Sequence, residues 1–244
     1  MTRYLILLPN NYMNTQGTLI DGMVAAGAHY GYTRTRRHPS IRQFLYATKD
    51  RSDLIDLSKT STQLETAIKV MAEAIRGGKQ ILFSGNKPEA QQITKEIALA
   101  LRMPYATNRW IGGTLTNFGE IKKRIEKLQD LLDKKEKGEL SVYTKKERLL
   151  IDRSIEKMDQ SFGGLSEMKQ LPAVLFVVDS LAEDTAVKEA NFMHIPVISI
   201  SNTDCNVNMV DYPIVANDAS QASLKFFLTH IENALKDART PEAK

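Results

Sequence analysis

Cysteine and tryptophan are almost missing from the 244-residue chain, since each occurs once, as Cys205 and Trp110. A single cysteine excludes an internal disulfide and a zinc site built from several cysteines, and such scarcity is typical of a reducing compartment. The four histidines are scattered along the chain without the spacing of metal ligands. We therefore expect a cytoplasmic protein without a metal centre or a cofactor.

Long apolar runs are missing as well. The run Tyr4–Leu8 ends at Pro9, which makes it too short for the apolar region of a signal peptide or for a membrane span. No other segment is apolar over enough residues to cross a bilayer, so we expect no membrane partner. Residues 1–22 form a predicted N-terminal extension, and the sequence indicates no role for it.

The remaining composition is that of a folded globular protein. Hydrophobic residues make up 42% of the chain and charged residues 25%, a proportion that supports a substantial core and argues against a disordered or fibrous protein. The net charge of +4 is modest, so the kind of partner depends on whether the basic residues cluster.

Apolar runs and helical patterns alternate over most of the chain. A helix is predicted from about Thr60, with Thr60 and Gln63 spaced as a capping box and Gly77 and Gly78 at its end. Pro88 is placed as the first residue of a second helix. Further strands and helices are predicted for the segments KQILFSGNK, MPYATN, PAVLFVVD, EDTAVKEANFMH, IPVISIS and DASQASLKFFLTHIENALKDA. This alternation predicts an α/β fold, a parallel sheet with helices on both faces.

A different pattern interrupts the alternation between residues 117 and 161. Narrow apolar stripes at helical spacing lie on both sides of a polar break at Lys137 and Gly138. Such stripes predict an antiparallel helical hairpin of the coiled-coil kind that protrudes from the sheet. The predicted domains are a discontinuous sheet domain over 23–116 and 162–237, the hairpin over 117–161, and a polar tail over 238–244.

Basic residues cluster in the segment AHYGYTRTRRHPSIRQFLYATKDR. No acidic residue precedes Asp50 there, and aromatic residues are interleaved with the cations. Guanidinium groups bind phosphate with two hydrogen bonds and stack on bases, so this composition indicates RNA binding. A solvated basic loop is the alternative. The basic residues singled out are Arg34, Arg36, Arg37, His38 and Arg42.

The stretch NRWIGGTLTNFGEIKKR, residues 108–124, joins the sheet to the predicted hairpin. Gly112 and Gly113 permit backbone conformations that larger residues resist. The residues that follow, Thr114, Thr116 and Asn117, supply short hydrogen-bonding side chains and a helix cap. We therefore interpret this stretch as the junction between the two predicted substructures.

Further side chains in and near the junction are candidates for RNA contacts. Arg109 is one, whereas Trp110 is placed either on RNA or in the core as a packing anchor. Lys122 and Lys123 give the start of the hairpin a positive charge. Lys87 follows a strand and a glycine in FSGNKPEA, but the segment lacks the spacing of a phosphate-binding loop, so we assign Lys87 to a nucleic-acid phosphate.

An enzyme is the main alternative. Ser84, Asp179 and Asn202 follow predicted strands at their carboxyl ends, where α/β enzymes bind nucleotides. No local motif pairs a general base with a nucleophile, and Cys205 is better explained as a small buried residue. A third possibility is a protein-docking platform alone, with the hairpin as the partner helix. The residues by themselves leave these possibilities open.

Eight motifs in order give the chain a resemblance to a known family. They are AGAHYG, DLIDLSKT, ILFSGNK, MPYATNRWIGGTLTNF, FGGLSEMKQLPAVLFVVD, AVKEA, IPVISISNTDCN and VDYPIVAND, and they span from about Met23 to the last helix. On these residues the chain is identified as a member of the bacterial-type ribosomal protein S2 family of the small ribosomal subunit. Arg109, Trp110 and the string TLTNF reproduce the family's pattern.

The resemblance implies a fold, a function and a set of site residues. It implies a flavodoxin-like or Rossmann-like domain with a protruding hairpin, and a structural, non-catalytic role in translation. It also implies binding to small-subunit rRNA near the head–body junction and to neighbouring ribosomal proteins, and in bacteria docking of the mRNA-binding ribosomal protein S1. With no catalytic residue and no metal ligand, the predicted rRNA-binding residues are Arg34, Arg36, Arg37, His38, Arg42, Lys87, Arg109, Trp110, Thr114, Thr116, Asn117, Lys122 and Lys123.

The sequence departs from the family pattern at two places. The histidine after the family's HFG motif is Tyr32 here, and the tryptophan and asparagine before Pro39 are Arg37 and His38. The family's DTNCDP reads NTDCNV at 202–207, without the proline. The first departure keeps the basic character of its segment.

Overall fold

The computed structural model describes residues 16–239. Its helices are α1 (Gln16–Ala25), α2 (Leu57–Arg76), α3 (Pro88–Ala100), α4 (Phe118–Glu136), α5 (Lys145–Phe162), α6 (Asp184–Phe192) and α7 (Gln221–Arg239). Its strands are β1 (Tyr30–Thr33), β2 (Leu45–Lys49), β3 (Ser52–Ile55), β4 (Ile81–Ser84), β5 (Tyr105–Ala106), β6 (Val174–Val178), β7 (Val197–Ser201) and β8 (Tyr212–Val215). The predicted helix end at Gly77 and Gly78 and the predicted start at Pro88 are confirmed.

The central sheet has the strand order β5-β4-β6-β7-β8, and the pairings between these strands are parallel. Counted along the chain, this order is second, first, third, fourth, fifth, which is the order of flavodoxin-like folds. The predicted α/β fold with a parallel sheet is therefore confirmed. The sheet reverses its strand order between β4 and β6, which is where such folds bind ligands.

Side chains alternate between the two faces of the sheet and build two separate cores. Ile81 and Phe83 of β4 face the layer formed by α1, α2, α3 and α7, whereas Leu82 faces the layer formed by α4, α5 and α6. β6 repeats this alternation, with Phe176 in the first core and Leu175 in the second. Because helices cover both faces, every residue of β6 is buried, and the strand consists of apolar residues only.

A second, antiparallel sheet in the order β1-β3-β2 precedes the parallel one, and the sequence pattern does not predict it. It lies over the carboxyl ends of the parallel strands. The Tyr32 amide donates to Thr203 Oγ1 at 2.9 Å, and the His38 amide donates to the Thr203 carbonyl at 2.8 Å. The seam between the sheets is filled by Ile41, Ile55, Val207 and Val215. The basic segment is therefore part of a packed sheet.

Helix α2 begins earlier than the sequence pattern predicts. Its N-cap is Asp56, whose side chain accepts a hydrogen bond from the Ser58 amide at 3.1 Å. The predicted capping box is wrong, because Thr60 and Gln63 lie inside the helix and bind the edge strand β8. Thr60 Oγ1 donates to the Val215 carbonyl at 2.6 Å, and Gln63 Oε1 accepts from the Val215 amide at 3.0 Å. These contacts occupy polar groups that a sheet edge leaves unpaired.

Helices α4 and α5, which follow β5 and precede β6 in the sequence, pack against each other. Lys135 Nζ lies 2.7 Å from Asp152 Oδ1 across the pair, and Thr144 and Glu147 form a capping box at the start of α5. The buried apolar residues of the pair include Ile121, Ile125, Leu128 and Ile155. The division of the chain into a sheet domain and a coiled-coil hairpin over 117–161 stays a prediction.

Both ends of the described chain pack on the body of the protein. Helix α1 buries Ile20 and Met23 in the first core, while residues 1–15 of the predicted extension lie outside the described residues. At the other end α7 continues to Arg239, whose guanidinium donates to the Leu101 carbonyl at 2.7 Å. Residues 240–244 of the predicted tail likewise lie outside the described residues. Over 16–239, no helix has the length and apolar character to cross a membrane.

Candidate nucleic-acid interface

Arg37 is bound within the small sheet. Its Nε donates to Asp53 Oδ2 at 2.6 Å, and its Nη2 contacts Asp53 Oδ1 and donates to Thr48 Oγ1 at 2.7 Å. Burial would raise the pKa of the fully buried Asp53, but the hydrogen bonds from Arg37 and Thr48 lower it overall. Arg37 therefore neutralises a buried carboxylate within the fold, and its role as a phosphate contact stays a prediction.

The other arginines of the segment are more open. Arg36 pairs with Asp204 at 2.9 Å and lies 4.2 Å from the centre of the Tyr32 ring, yet 57% of its side chain is exposed. Arg34 and Arg42 are exposed, and within residues 16–239 neither side chain has an ion-pair partner. These two guanidinium groups are free to bind phosphate.

His38 begins the short helical turn Pro39–Phe44. Its Nδ1 accepts a hydrogen bond from the Ser40 amide at 3.3 Å and lies 2.8 Å from Ser40 Oγ. The ring is half-buried, so the contact it offers to RNA is limited to its outer edge.

Lys87 sits at the point where the strand order reverses. Its ammonium lies 2.6 Å from Asp179 and 2.7 Å from Asp218, and only 19% of its side chain is exposed. Burial would lower the pKa of Lys87, but the charge of Asp218 and hydrogen bonds to both carboxylates raise it overall. Two internal carboxylates therefore already hold this cation, and its contact with a nucleic-acid phosphate stays a prediction.

The strand ends that suggest an enzyme do come together, but they form a closed network. Asn202 donates to Asp218 Oδ1 at 2.9 Å, and the Cys205 thiol donates to Asp179 Oδ1 at 3.3 Å. Asp179, Cys205 and Asp218 bring three potential metal ligands together, but the Lys87 ammonium binds both carboxylates. Burial raises the pKa of Cys205 to about 12, so it is a poor nucleophile. The small sheet covers this crevice.

Glu183 borders the same network. It is 1% exposed, and its Oε1 accepts a hydrogen bond from the Asn86 amide at 2.9 Å. Oε2 is buried and has no hydrogen-bond partner in the described protein. Burial raises the pKa of Glu183 to about 7, against an ordinary value of 4.5. Glu183 is therefore a buried acid that titrates near neutral pH.

Trp110 is a packing anchor. It is 7% exposed, and its indole Nε1 donates to Glu189 Oε1 at 3.1 Å. Thr114 is 1% exposed, and its hydroxyl donates to the Ile111 carbonyl at 2.6 Å. Both side chains are therefore buried, with Trp110 in the second core, and their contacts with RNA stay predictions.

The remaining junction residues are on the surface. Thr116 is exposed, with its hydroxyl 3.2 Å from Glu189 Oε2. Asn117 is at the N-cap position of α4, and its side chain makes no capping hydrogen bond. The side-chain amide of Asn117 is therefore available for a hydrogen bond to a partner. Arg109 is exposed beside a cavity of about 300 Å³ that Lys95 and Asp159 also line. Exposed Lys122 and Lys123 follow in α4, and Lys123 pairs with Glu120 at 2.6 Å.

Sequence reasoning missed the acidic residues that organise this surface. Asp53 and Glu189 are buried, and neither belongs to a recognisable binding motif. A signal for Glu189 is present in AVKEANFM, where it shares one helical stripe with the apolar Ala186 and Met193. A charge on the apolar face of a helix predicts a specific internal partner.

Known proteins resemble the chain over most of its length. A model of the family described as ribosomal protein S2 matches residues 23–238. The small ribosomal subunit protein uS2 of Coprothermobacter proteolyticus is 39% identical over 217 residues, which cover 89% of this chain and 81% of the relative. The uS2 protein of Roseiflexus sp. is 39% identical over 212 residues, 87% and 81% of the two chains. That of Helicobacter acinonychis is 35% identical over 217 residues, 89% and 88%.

Proposed function

The chain belongs to the ribosomal protein S2 family, and from this premise we propose that it is a structural component of the small ribosomal subunit that binds the rRNA of that subunit. The observation that carries the proposal is the family match over residues 23–238, which includes the junction and both sheets. The family is structural, and the closed network around Lys87 agrees with a protein that is not an enzyme. Its place of action is the ribosome, near the head–body junction that the resemblance implies.

Exposed cations with free side chains form the proposed RNA surface. Arg34 and Arg42 of the small-sheet segment and Arg109 and Lys122 of the junction are exposed and have no ion-pair partner within residues 16–239. Such groups bind phosphate without giving up an internal ion pair. The polar residues Thr116 and Asn117 lie beside them, and Arg36, His38 and Lys123 contribute in part.

Binding of this kind reads the shape of the RNA more than its sequence. Phosphate contacts fix the position of a protein on RNA but carry no sequence information. The proposed contact residues lie in two separate parts of the chain, the small-sheet segment and the junction. We therefore infer that the spacing between rRNA helices, and not a base sequence, selects the binding site.

Docking of ribosomal protein S1 is a further part of the proposal. Around the turn between α4 and α5, large apolar side chains are exposed, which supports a protein partner there. They are Val142, Tyr143, Leu149 and Leu150. A tagged copy should retain S1 after nuclease treatment, and replacement of Leu149 and Leu150 by serine should release it. Retention of S1 by the serine variant would contradict this site.

Sedimentation tests the main proposal. A tagged copy in cell lysate should co-migrate with the small subunit on a sucrose gradient, and high salt should weaken the association. Reversal of Arg34, Arg42 and Lys122 to glutamate should move the protein to light fractions. The matched control reverses three exposed lysines on or next to the α2 and α7 layer, Lys69, Lys79 and Lys225, and should still co-migrate. Wild-type protein found only in RNA-free fractions would contradict the function.

A further inference from the structure

We propose that Glu189 is the positioning residue of the RNA-facing junction. Its buried carboxylate organises residues 110–116 and thereby sets where Arg109, Asn117 and Lys122 stand, without touching RNA itself. The inference rests on the proposed rRNA binding, since it assigns a residue that prepares the same surface. Four observations carry it: the hydrogen bonds, the charge, the glycine and the burial.

Both carboxylate oxygens of Glu189 accept hydrogen bonds from residues of the junction. Oε1 accepts hydrogen bonds from Trp110 Nε1 at 3.1 Å and from the Gly113 amide at 2.8 Å. Oε2 accepts from the Leu115 amide at 3.0 Å and from the Thr116 amide and hydroxyl, each at 3.2 Å. These donors are 73 to 79 residues away in sequence. One side chain of α6 therefore holds a whole loop of a distant segment.

The charge of Glu189 makes this arrangement obligatory for the loop. Burial would raise the pKa of Glu189, but the hydrogen bonds from Gly113, Leu115, Trp110 and Thr116 lower it overall, so the carboxylate is ionised at neutral pH. No lysine or arginine in the described part of the chain pairs with it. A buried charge without partners is very costly. The loop must therefore keep its amides directed at the carboxylate.

One glycine of the junction, Gly113, has a specific role in this arrangement. Gly113 has a φ of +90°, which larger residues rarely adopt, and a β-carbon there would lie 3.3 Å from the β-carbon of Asn117. This conformation lets the amides of Gly113, Leu115 and Thr116 converge on one carboxylate. Asn117 follows at once and begins α4. The direction of α4, and hence the place of Lys122, depends on the bound loop.

The role of Glu189 is not a direct contact with RNA. The residue is 9% exposed, its oxygens are occupied, and its negative charge would repel phosphate. The helix that carries Glu189 packs firmly on the protein, because its Ala186, Val187 and Ala190 are buried in the second core. Pre-ordering the loop removes an entropic cost that RNA binding would otherwise bear.

The test replaces Glu189 by glutamine, whose amide nitrogen cannot accept the hydrogen bonds that one carboxylate oxygen now receives. Trp110 is the only tryptophan, so its fluorescence reports the loop directly. In Glu189→Gln we expect a red shift of that emission and faster hydrogen exchange of the Gly113, Leu115 and Thr116 amides. We also expect affinity for purified small-subunit rRNA to fall about tenfold at every salt concentration, with the slope against salt unchanged, because no phosphate contact is lost.

Two variants separate positioning from stability and from direct contact. Leu228→Ala in the other core should lower the melting temperature while leaving Trp110 emission and rRNA affinity as in wild type. Arg109→Gln should reduce the salt slope, as loss of a phosphate contact does. If Glu189→Gln does not fold, Gly113→Ala disturbs the same loop from its other side and should give the same red shift and loss of affinity.

The outcomes distinguish this inference from the proposed function. Unchanged emission and affinity in a folded Glu189→Gln would overturn the positioning role, and so would a drop in affinity accompanied by a drop in salt slope. Wild-type protein that does not bind rRNA would overturn the proposed function, and the fluorescence and exchange data would still decide whether Glu189 orders the loop.

Discussion

The region around the strand ends and the region around the junction both contain basic residues and buried acids, but they pair them in opposite ways. At the strand ends, two of the cations face inward: Arg37 is bound to Asp53, and Lys87 to Asp179 and Asp218. At the junction, hydrogen bonds from backbone amides and an indole stabilise the charge of Glu189, and the nearby cations stay outside. The two regions therefore differ in whether cations or neutral donors satisfy the buried acids.

The sharpest way to break this contrast is to remove the internal cation. Lys87→Met leaves Asp179 and Asp218 buried without their shared ammonium, and we expect the free energy of unfolding to fall by about 3–5 kcal/mol. Urea denaturation followed by circular dichroism measures it. Lys122→Met, at an exposed position of the junction, is the control and should change stability by less than about 0.5 kcal/mol. Equal losses for the two lysines would show that the contrast is false.

A pH series separates the two buried glutamates. The pKa of Glu183 is raised to about 7, so the folded state binds this proton more tightly than the unfolded state does. The stability it contributes is complete below pH 4.5 and is lost as the pH rises through 7, by up to about 3 kcal/mol. Glu183→Gln should remove this loss.

The measurement compares urea unfolding at pH 5 and pH 8. Glu183→Gln should be more stable than wild type at pH 8 and about equal to it at pH 5. Glu65→Gln, at an exposed position of α2, serves as the control and should follow wild type at both values. A Glu183→Gln variant whose stability relative to wild type is the same at both pH values would refute the assignment. Glu189 titrates below its usual range and adds no such loss near neutral pH.

A smaller loss of stability is expected when the buried tryptophan of the junction is changed. Trp110→Phe keeps an aromatic ring in the core but removes one donor to the Glu189 carboxylate, and we expect a loss of about 2 kcal/mol. In a Glu189→Gln background the same change should cost less, because the charged acceptor is already gone. Thermal denaturation of the four proteins gives this coupling. Additive losses would mean that Trp110 is held by packing alone.

The sequence predicts the central strands of the parallel sheet well, but it predicts the edge strand β8 and the small antiparallel sheet poorly. β4, β6 and β7 are continuous apolar or small-residue runs between helical patterns, so local signals suffice. β8 holds Pro213 at the sheet edge, and β1 is a half-exposed Tyr-Gly-Tyr-Thr, so neither carries a strand signal. These elements are fixed by contacts with distant segments.

The same limit applies to the site. Composition indicates correctly that basic residues cluster, but it cannot tell Arg34 from Arg37, because Asp53 approaches only when β3 pairs with β2. Lys87 meets Asp218 across 131 residues, a contact that only the strand order creates. The packing role of Trp110 is one of two that the sequence offers, and its partner Glu189 lies in α6, 79 residues further along the chain.

A salt titration of rRNA binding tests the central claim most directly. Wild-type protein is compared with a triple variant in which Arg34, Arg42 and Lys122 are changed to glutamine, by filter binding to purified small-subunit rRNA. We predict that the slope of log K against log salt falls by about 2–3, since each lost phosphate contact removes about 0.7–0.9. The stability of the variant should stay within about 0.5 kcal/mol of wild type. A triple variant with the wild-type slope would contradict the claim that these exposed cations are the phosphate contacts.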